Sequence, residues 1–404
     1  MRPTHPDRPT CAPPLSWRLD VPSAGVDAAF FLRLPTTPGV FILLGDDDLV
    51  LTIGVTADLR RMIRTRLEPP AADAPSARVP YHHLTRAVLG TSVGSSFEAD
   101  WVFLHLARRD APRIYKGLID RYQAWFVHCD PDADFPQWTK TPRPDERPGR
   151  FIGPFPDKHA AQRYITLLED AFDLCRYHHV LVQAPHGRAC AYKEMGRCPA
   201  PCDGSVPLST YRAAIEASVE FALTPIDDWR ARATDAMHAA AGATDFEAAT
   251  RWRERLERTR PAAARAFRDV DDLRRCVSLA VGPAARRGWC TLLLVHVGRV
   301  VPLVSLAVDA PIEVRRAAWA AVVDRVETLD AEVGPVDPVA IEHLGLLNWH
   351  RTRPESKRTA RDGKFLRVDR SDGAAALGRT MRALAEPAAS GHEFPDRDLD
   401  LSEV

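Results

Sequence analysis

Residues 38–67 read PGVFILLGDDDLVLTIGVTADLRRMIRTRL and carry the clearest periodicity in the chain. Two runs of β-branched and aliphatic residues, GVFILL and LVLTIGV, flank the turn-like sequence GDDD, so the stretch predicts a β-hairpin. In the segment that follows, Leu59, Met62, Ile63 and Leu67 recur at helical spacing, with arginines on the other face. The stretch therefore predicts a β-β-α unit.

The composition is that of a globular protein with more than one domain. The chain has 404 residues, of which 45% are hydrophobic and 27% charged, and its formal net charge is zero. No apolar run approaches the roughly 20 residues that cross a bilayer, and the first residues lack the apolar core of a signal peptide. We therefore expect a cytoplasmic protein without a membrane partner.

Shifts in composition predict an α+β protein of several domains. The predicted parts are a disordered tail (1–28), a small β-sheet unit with flanking helices (29–125), a linker (126–150), a cysteine-rich segment (151–224), an α-helical hairpin (225–268), a small α/β unit (269–350) and a charged tail (351–404).

Four of the eight cysteines are clustered near the middle of the chain. Cys175, Cys190, Cys198 and Cys202 fall within 28 residues, a density typical of metal sites, and disulfides are not expected in the cytoplasm. Thiolates suit a soft cation. The sequence thus predicts a cysteine-rich metal-cluster segment, with buried structural thiols as the alternative.

Residues 190–204 read CAYKEMGRCPAPCDG, which resembles the consensus CLxYxIGRCxAPCxG of the UvrC/Cho excinuclease family. Upstream, FIGPFP resembles the YFGPYP segment of that family, and GVF with TIG resembles the GIY-YIG motif of its N-terminal endonuclease domain. The resemblance covers roughly residues 30–300, like the N-terminal half of a UvrC protein. It implies a GIY-YIG-like domain over 29–125 and a cluster domain of the UvrC type over 151–224.

This resemblance carries the catalytic positions onto residues that cannot do the chemistry. Phosphodiester hydrolysis needs a general base, a cation that offsets phosphate charge and a carboxylate that holds a metal. The family's two tyrosines, lysine, arginine and metal-binding glutamate fall on Phe41, Thr52, Val55, Met62 and Phe103. The resemblance therefore implies a degenerate nuclease site and gives no support for catalytic Mg²⁺ or Mn²⁺.

Neighbouring residues leave an alternative open. Arg60, Arg61 or Arg64 could replace the arginine, and Glu98 or Asp100 could replace the glutamate on the later helix. The chain would then be an active GIY-YIG endonuclease that makes the incision in damaged DNA through a rearranged metal site.

The resemblance also implies a cofactor. In the family, four cysteines ligate a 4Fe-4S iron-sulfur cluster, and the matching residues are Cys175, Cys190, Cys198 and Cys202. Zinc with four thiolate ligands fits equally well. Cys175 lies two residues before the family's position, which Tyr177 occupies, so His178, His179 and His186 are candidate substitutes.

Two further resemblances concern partners. MHAAAGATDFEAATRWRERLE resembles the UVR motif, a helical hairpin that binds UvrB, and it assigns partner contacts to Met237, Phe246, Arg253 and Leu256. A plain amphipathic hairpin is the alternative. The arginine-rich helix of the first domain offers Arg60, Arg61, Arg64 and Arg66 for DNA phosphates. The function implied is a nucleotide excision repair protein that binds DNA and a UvrB-like partner without cutting.

Overall fold

The computed structural model describes residues 15–69, 79–145, 147–331, 337–359, 361–368, 373–385 and 397–400. The chain divides into two compact units. The first unit is drawn from residues 1–122, 277–333 and 349–404, and the second from residues 123–276 and 334–348.

The strands are β1 (Trp17–Asp20), β2 (Gly39–Leu44), β3 (Val50–Thr56), β4 (Ala87–Ser92), β5 (Trp125–Cys129), β6 (Thr139–Thr141), β7 (Arg150–Phe155), β8 (Asp271–Asp272), β9 (Val277–Pro283), β10 (Trp289–His296), β11 (Arg299–Ala307), β12 (Lys364–Arg367) and β13 (Arg397–Asp400). The α-helices are α1 (Ala28–Leu32), α2 (Leu59–Leu67), α3 (Tyr81–Leu84), α4 (Ser96–Asp110), α5 (Pro112–Arg121), α6 (Lys158–Phe172), α7 (His178–Leu181), α8 (Ala191–Glu194), α9 (Leu208–Leu223), α10 (Ile226–Gly242), α11 (Phe246–Arg258), α12 (Ile312–Ala331), α13 (Pro338–Thr352) and α14 (Ala374–Ala385).

The predicted β-β-α unit is present in the first unit. β2 and β3 form an antiparallel hairpin in which Phe41 pairs with Gly54, and α2 follows directly. Asp58 caps α2 by accepting a hydrogen bond from the amide of Arg61, so the helix begins where the sequence favours a cap. The apolar face of the helix is buried as its spacing predicts, because Leu59, Ile63 and Leu67 enter the core.

The sheet around this hairpin is antiparallel, with the order β1-β4-β2-β3-β13. All six residues of β2 are buried, as expected for a central strand covered on both faces. The core beneath it contains Phe30, Phe31 and Leu34 together with the buried side chains of β2 and α2.

The predicted tail over residues 1–28 differs from the structure where the structure describes it. β1 pairs with β4, and the ring of Trp17 lies so close to Gly90 that a Cβ on Gly90 would be 2.3 Å from it. A four-residue strand between prolines is too short to show a reliable alternation, so the sequence alone did not indicate it. Residues 1–14 of the predicted tail lie outside the described residues.

A second antiparallel sheet of the first unit has the order β11-β10-β9-β12. α12 and α14 contribute Trp319, Val322, Leu377 and Met381 to its buried core. This sheet corrects the predicted boundary at residue 351: β12 and α14 lie in the expected charged tail, yet they complete the small α/β unit. β12 has only the four residues KFLR, which is too short for a reliable signal, and α14 follows a charged stretch that resembles a tail in composition.

The second unit contains an antiparallel sheet with the order β6-β5-β7-β8. Its core includes the buried faces of α6 and α9, with Tyr164, Leu168 and Tyr211. β5 and β6 lie in the predicted linker over 126–150, which is therefore wrong in its ordered part. Their short β-rich sequences are interrupted by prolines and aspartates, which resemble a linker in composition.

Two helices, α10 and α11, follow in the region of the predicted hairpin, joined by three residues. Among the described residues, no helix is both long enough and apolar enough to span a bilayer.

Candidate functional site

The five positions onto which the resemblance carries the family's catalytic residues are largely removed from solvent. Phe41 and Thr52 have no accessible surface, and Phe103 and Val55 expose at most 3% of theirs. Met62 is half-buried against the same core as Phe41. The strand register places Phe41 and Thr52 on one face of the sheet and Val55 on the other. In the interior on either face, an uncompensated phosphate or metal ion would lose its hydration without gaining ligands.

The outer edge of β3 is covered as well. β13 pairs with β3, with Arg397 opposite Val55 and Asp400 opposite Thr52. The backbone groups on this side of β3 therefore have partners from the chain itself, and the strand is not a sheet edge.

Glu98, one of the two candidate replacement carboxylates, has a structural role. Ser95 Oγ accepts a hydrogen bond from the Glu98 amide at 3.2 Å, and Glu98 Oε2 accepts one from the Gly94 amide at 3.0 Å. Together they form a capping box at the start of α4. Burial raises the pKa of Glu98, which disfavours the anion that a metal would need.

Asp100, the other candidate, lies in a buried pair. Asp100 Oδ2 is 3.1 Å from His350 Nε2, and both side chains are less than 10% exposed. The ring of Phe97 packs edge-on against His350, with 5.5 Å between the ring centroids. Sequence reasoning missed His350, because 250 residues separate it from Asp100 and no local signal connects them.

Arg60, Arg64 and Arg66, which are candidate DNA-binding arginines of α2, make contacts within the first unit. Arg60 donates from Nε and Nη2 to the carbonyl oxygens of Leu34 and Leu32. The Arg64 guanidinium pairs with Glu68, and the Arg66 guanidinium lies 5.7 Å from the centroid of the Tyr81 ring. Arg61 and Arg64 are exposed.

The cysteine segment lies in the second unit, where three of the four predicted ligands are buried. Cys175, Cys198 and Cys202 are buried, and Cys175 Sγ donates a hydrogen bond to the carbonyl oxygen of Tyr177 at 3.6 Å. Interaction between the two thiols lowers the pKa of Cys198 and raises the pKa of Cys175. Burial, followed by the charge of Cys198, raises the pKa of Cys202. The three sulfur atoms thus share one shielded, electrostatically linked environment.

Cys190 differs from these three thiols in its burial. It is half-buried and lines an open cavity of about 620 Å³ with Lys193 and Asp203, which form an ion pair at 2.6 Å. The candidate substitutes His178, His179 and His186 are exposed. Within the described ranges, no three His, Cys, Asp or Glu side chains converge as metal ligands would. Buried thiols are nonetheless the donor type that suits a soft cation.

The predicted partner-binding residues divide between two environments. Phe246, the first residue of α11, exposes 68% of its surface, and Arg253 is also exposed. Leu256 instead packs against the core of the second unit, and Met237 is half-buried. The helix itself is held by Asp245, which accepts a hydrogen bond from the amide of Ala248 at 2.9 Å. The face available to a partner is therefore the one that carries Phe246 and Arg253.

Comparison with known proteins identifies relatives of this chain. Residues 124–221 match the family described as "UvrC/Cho excinuclease, middle domain". The UvrABC system protein C of Aromatoleum aromaticum is 29% identical over 260 residues, which cover 62% of this chain and 41% of that protein. The protein of the same name from Desulforudis audaxviator is 26% identical over 381 residues, covering 88% of this chain and 60% of that protein.

A third relative, the UvrABC system protein C of Nitrobacter winogradskyi, is 29% identical over 222 residues, which cover 55% of this chain and 32% of that protein. The chain thus spans between about a third and three-fifths of the length of these relatives. No solved structure matches the chain. The matched residues contain α6, α7, α8 and all four clustered cysteines. The chain is accordingly similar to the UvrC/Cho-like excinucleases, and its residues 124–221 resemble the middle domain of that family.

Proposed function

We propose that this chain is a nucleotide excision repair protein that binds DNA and a UvrB-like partner and does not itself cut DNA. The observation that carries the proposal is the burial of Phe41, Thr52, Val55 and Phe103, where an endonuclease of the GIY-YIG type presents its reacting groups. A phosphodiester cannot reach this interior, and the residues there neither transfer protons nor hold a metal. In this proposal, the nuclease-like domain keeps its fold and serves only in binding.

The active endonuclease is the weaker proposal. A rearranged metal site would use Glu98 or Asp100, but Glu98 caps α4 and Asp100 is paired with His350 in the interior. Both carboxylates would have to leave these contacts before they could hold an ion.

The test is a nicking assay on supercoiled plasmid with Mg²⁺ or Mn²⁺, with and without a UvrB-like protein. We expect the plasmid to remain supercoiled. Nicking that survives purification and disappears in both Glu98→Gln and Asp100→Asn would overturn the proposal. Circular dichroism of each variant would establish that lost nicking does not reflect lost folding.

We also propose that Cys175, Cys198, Cys202 and Cys190 hold a metal centre. A 4Fe-4S cluster is the form the family resemblance favours, and zinc is the alternative. The buried, linked sulfurs of the first three residues support the proposal, and the bound group would act as a structural staple for the cysteine segment. Anaerobic purification followed by metal analysis and visible spectroscopy separates iron-sulfur from zinc. Protein free of both metals would contradict the proposal.

For the partner, the exposed Phe246 supports docking through the turn between α10 and α11. A large apolar side chain that is 68% exposed is the kind of anchor that fills a pocket on another protein. Phe246→Ala is expected to weaken binding to a UvrB-like protein at least about tenfold. Glu247→Ala, which removes the neighbouring exposed side chain, is the matched control and should bind normally.

A further inference from the structure

Three segments of the first unit converge at the beginning of α4. The turn between β9 and β10 touches Gly94 so closely that a Cβ there would be 2.0 Å from the carbonyl oxygen of Pro283. The segment between α13 and β12 meets the same point, because Arg361 Nη1 donates to Gly94 O at 3.2 Å. The Ser96 amide in turn donates to Arg361 O at 3.0 Å. The converging segments are thus fixed against one another.

These segments carry a local excess of positive charge. The turn, PAARRGW over residues 283–289, contains two exposed arginines, Arg286 and Arg287, and no acidic residue. Residues 351–367 contain seven basic residues (Arg351, Arg353, Lys357, Arg358, Arg361, Lys364 and Arg367) against the acidic Glu355 and Asp362. Because the whole chain has a net charge of zero, the positive charge is concentrated in these segments and does not reflect the average composition.

Some of these charged side chains bind other residues of the loop, and others are exposed at the surface. Arg353 pairs with Asp362 at 3.2 Å, and Arg358 donates to the carbonyl oxygen of Arg351, so these side chains shape the loop. Lys357 and Lys364 are exposed. Lys364 lies opposite Val281 in the sheet, at the same end of β9 as the turn.

One simpler explanation covers only part of this pattern. β12 is an edge strand, and charged side chains on an edge prevent pairing with other chains. That explanation accounts for Lys364 and Arg367. It does not account for Arg286, Arg287 or Lys357, which lie outside the strand.

We propose that a cluster of basic residues near the beginning of α4 binds the phosphate backbone of DNA. This α4-start cluster consists of Arg286, Arg287, Lys357 and Lys364. The inference rests on the proposed function. It adds a DNA-binding site that lies outside α2, the helix to which the sequence assigns DNA contacts. Except for Lys364, the first residue of β12, these side chains lie on a turn and a loop, and not on an α-helix or strand that could read base edges in a groove. We therefore expect them to contact phosphates without sequence preference. None of the exposed large hydrophobic residues of the described chain lies in these segments, as insertion into a membrane surface would require.

The test compares DNA binding by the full chain and two variants of equal net charge. The first variant carries Arg286→Gln, Arg287→Gln, Lys357→Gln and Lys364→Gln. The control variant carries Arg163→Gln, Arg265→Gln, Arg268→Gln and Arg274→Gln, four exposed arginines of the second unit. Fluorescence anisotropy with a labelled duplex of about 30 base pairs, at about 50 to 200 mM salt, gives Kd and its salt dependence.

We expect the cluster variant to bind at least about tenfold more weakly at the lowest salt, while the control variant binds like the unmodified chain. The slope of log Kd against log salt should fall by about 0.9 for each phosphate contact removed. Thermal unfolding followed by circular dichroism checks that both variants are folded.

Other outcomes overturn the inference in distinguishable ways. Equal weakening in both variants would mean that total charge, not this cluster, governs binding. Unchanged binding in the cluster variant would place the DNA elsewhere and leave the proposed function intact. Absence of DNA binding by the unmodified chain, even at the lowest salt, would remove the proposed function as well. Loss of binding to vesicles of anionic lipid, with DNA binding unchanged, would identify the cluster as a membrane contact instead.

Discussion

Single residues of the second unit link its stability to pH, and Glu169 on α6 is the clearest case. Burial raises the pKa of Glu169 to about 7, although Arg176 lies 3.5 Å away and opposes the shift. The folded chain therefore keeps this proton from about pH 4.5, where an unfolded chain releases it, up to about pH 7. Within that window the folded state binds more protons, so its stability falls as the pH rises.

We predict that the free energy of unfolding decreases by about 1 to 3 kcal/mol between pH 4.5 and pH 7 because of Glu169, and that Glu169→Gln removes this part of the slope. Urea denaturation at several pH values measures it. Glu216→Gln, an exposed position on α9, is the control and should keep the original slope. Parallel slopes for the chain and Glu169→Gln would contradict the assignment.

Two cysteines outside the metal-site candidates should be chemically inert. Burial raises the pKa of Cys129 to about 12 and that of Cys290 to about 11, so neither forms the reactive thiolate near neutral pH. We predict that iodoacetamide labels both only after denaturation, as peptide mapping by mass spectrometry would reveal. Labelling of Cys290 in the native protein at the rate of a free thiol would show that the core around it opens.

At the scale of elements, α4 depends on its first turn. Ser95 Oγ accepts a hydrogen bond from the Glu98 amide, whereas the neighbouring Ser96 Oγ is buried and has no hydrogen-bond partner within the described chain. We predict that Ser95→Ala lowers the free energy of unfolding by about 1 kcal/mol, because the helix loses its cap. Ser96→Ala should leave stability unchanged or raise it. Thermal or urea unfolding compares the pair, and equal losses in both would argue against the capping box.

Elements with strong local signals were predictable, and short ones were not. The hairpin of β2 and β3 and the helix α2 follow directly from alternation and helical spacing in residues 38–67. β1 and β12 each have four residues, and their partners, β4 and β9, lie about 70 to 85 positions away in the sequence. Pairing over such distances is decided by packing, which local sequence does not encode.

The candidate sites also divide into features with a local sequence signal and features that depend on long-range packing. The density of cysteines in one segment predicts a metal site, and Cys175, Cys198 and Cys202 are buried there, although no three possible ligands converge within the described part of the chain. The pairing of Asp100 with His350 depends on how α4 meets the end of α13, so no spacing rule could have found it. Neither could sequence spacing show that Arg60, Arg64 and Arg66 contact their own unit.

At the scale of the whole molecule, the structure joins the two ends of the chain in one sheet. β1 and β13, the first and last strands of the described residues, occupy the two edges of the sheet that contains Phe41, Thr52 and Val55. Burial of these three side chains and strand pairing at the edge of β3 both limit access to this part of the sheet. The two features are independent in sequence but act together on the accessibility of Thr52 and Val55.

This arrangement leads to a prediction about residues 386–404. If they are deleted, the outer edge of β3 loses its partner, and its backbone groups are free to pair with water or with another chain. We predict faster hydrogen exchange in the peptide that contains Val50–Thr56, with concentration-dependent self-association, whereas peptides from β10 should be unaffected. Deletion of residues 401–404 alone keeps β13 and is the control. Unchanged exchange in β3 after the longer deletion would mean that β13 contributes nothing to closing this edge in solution.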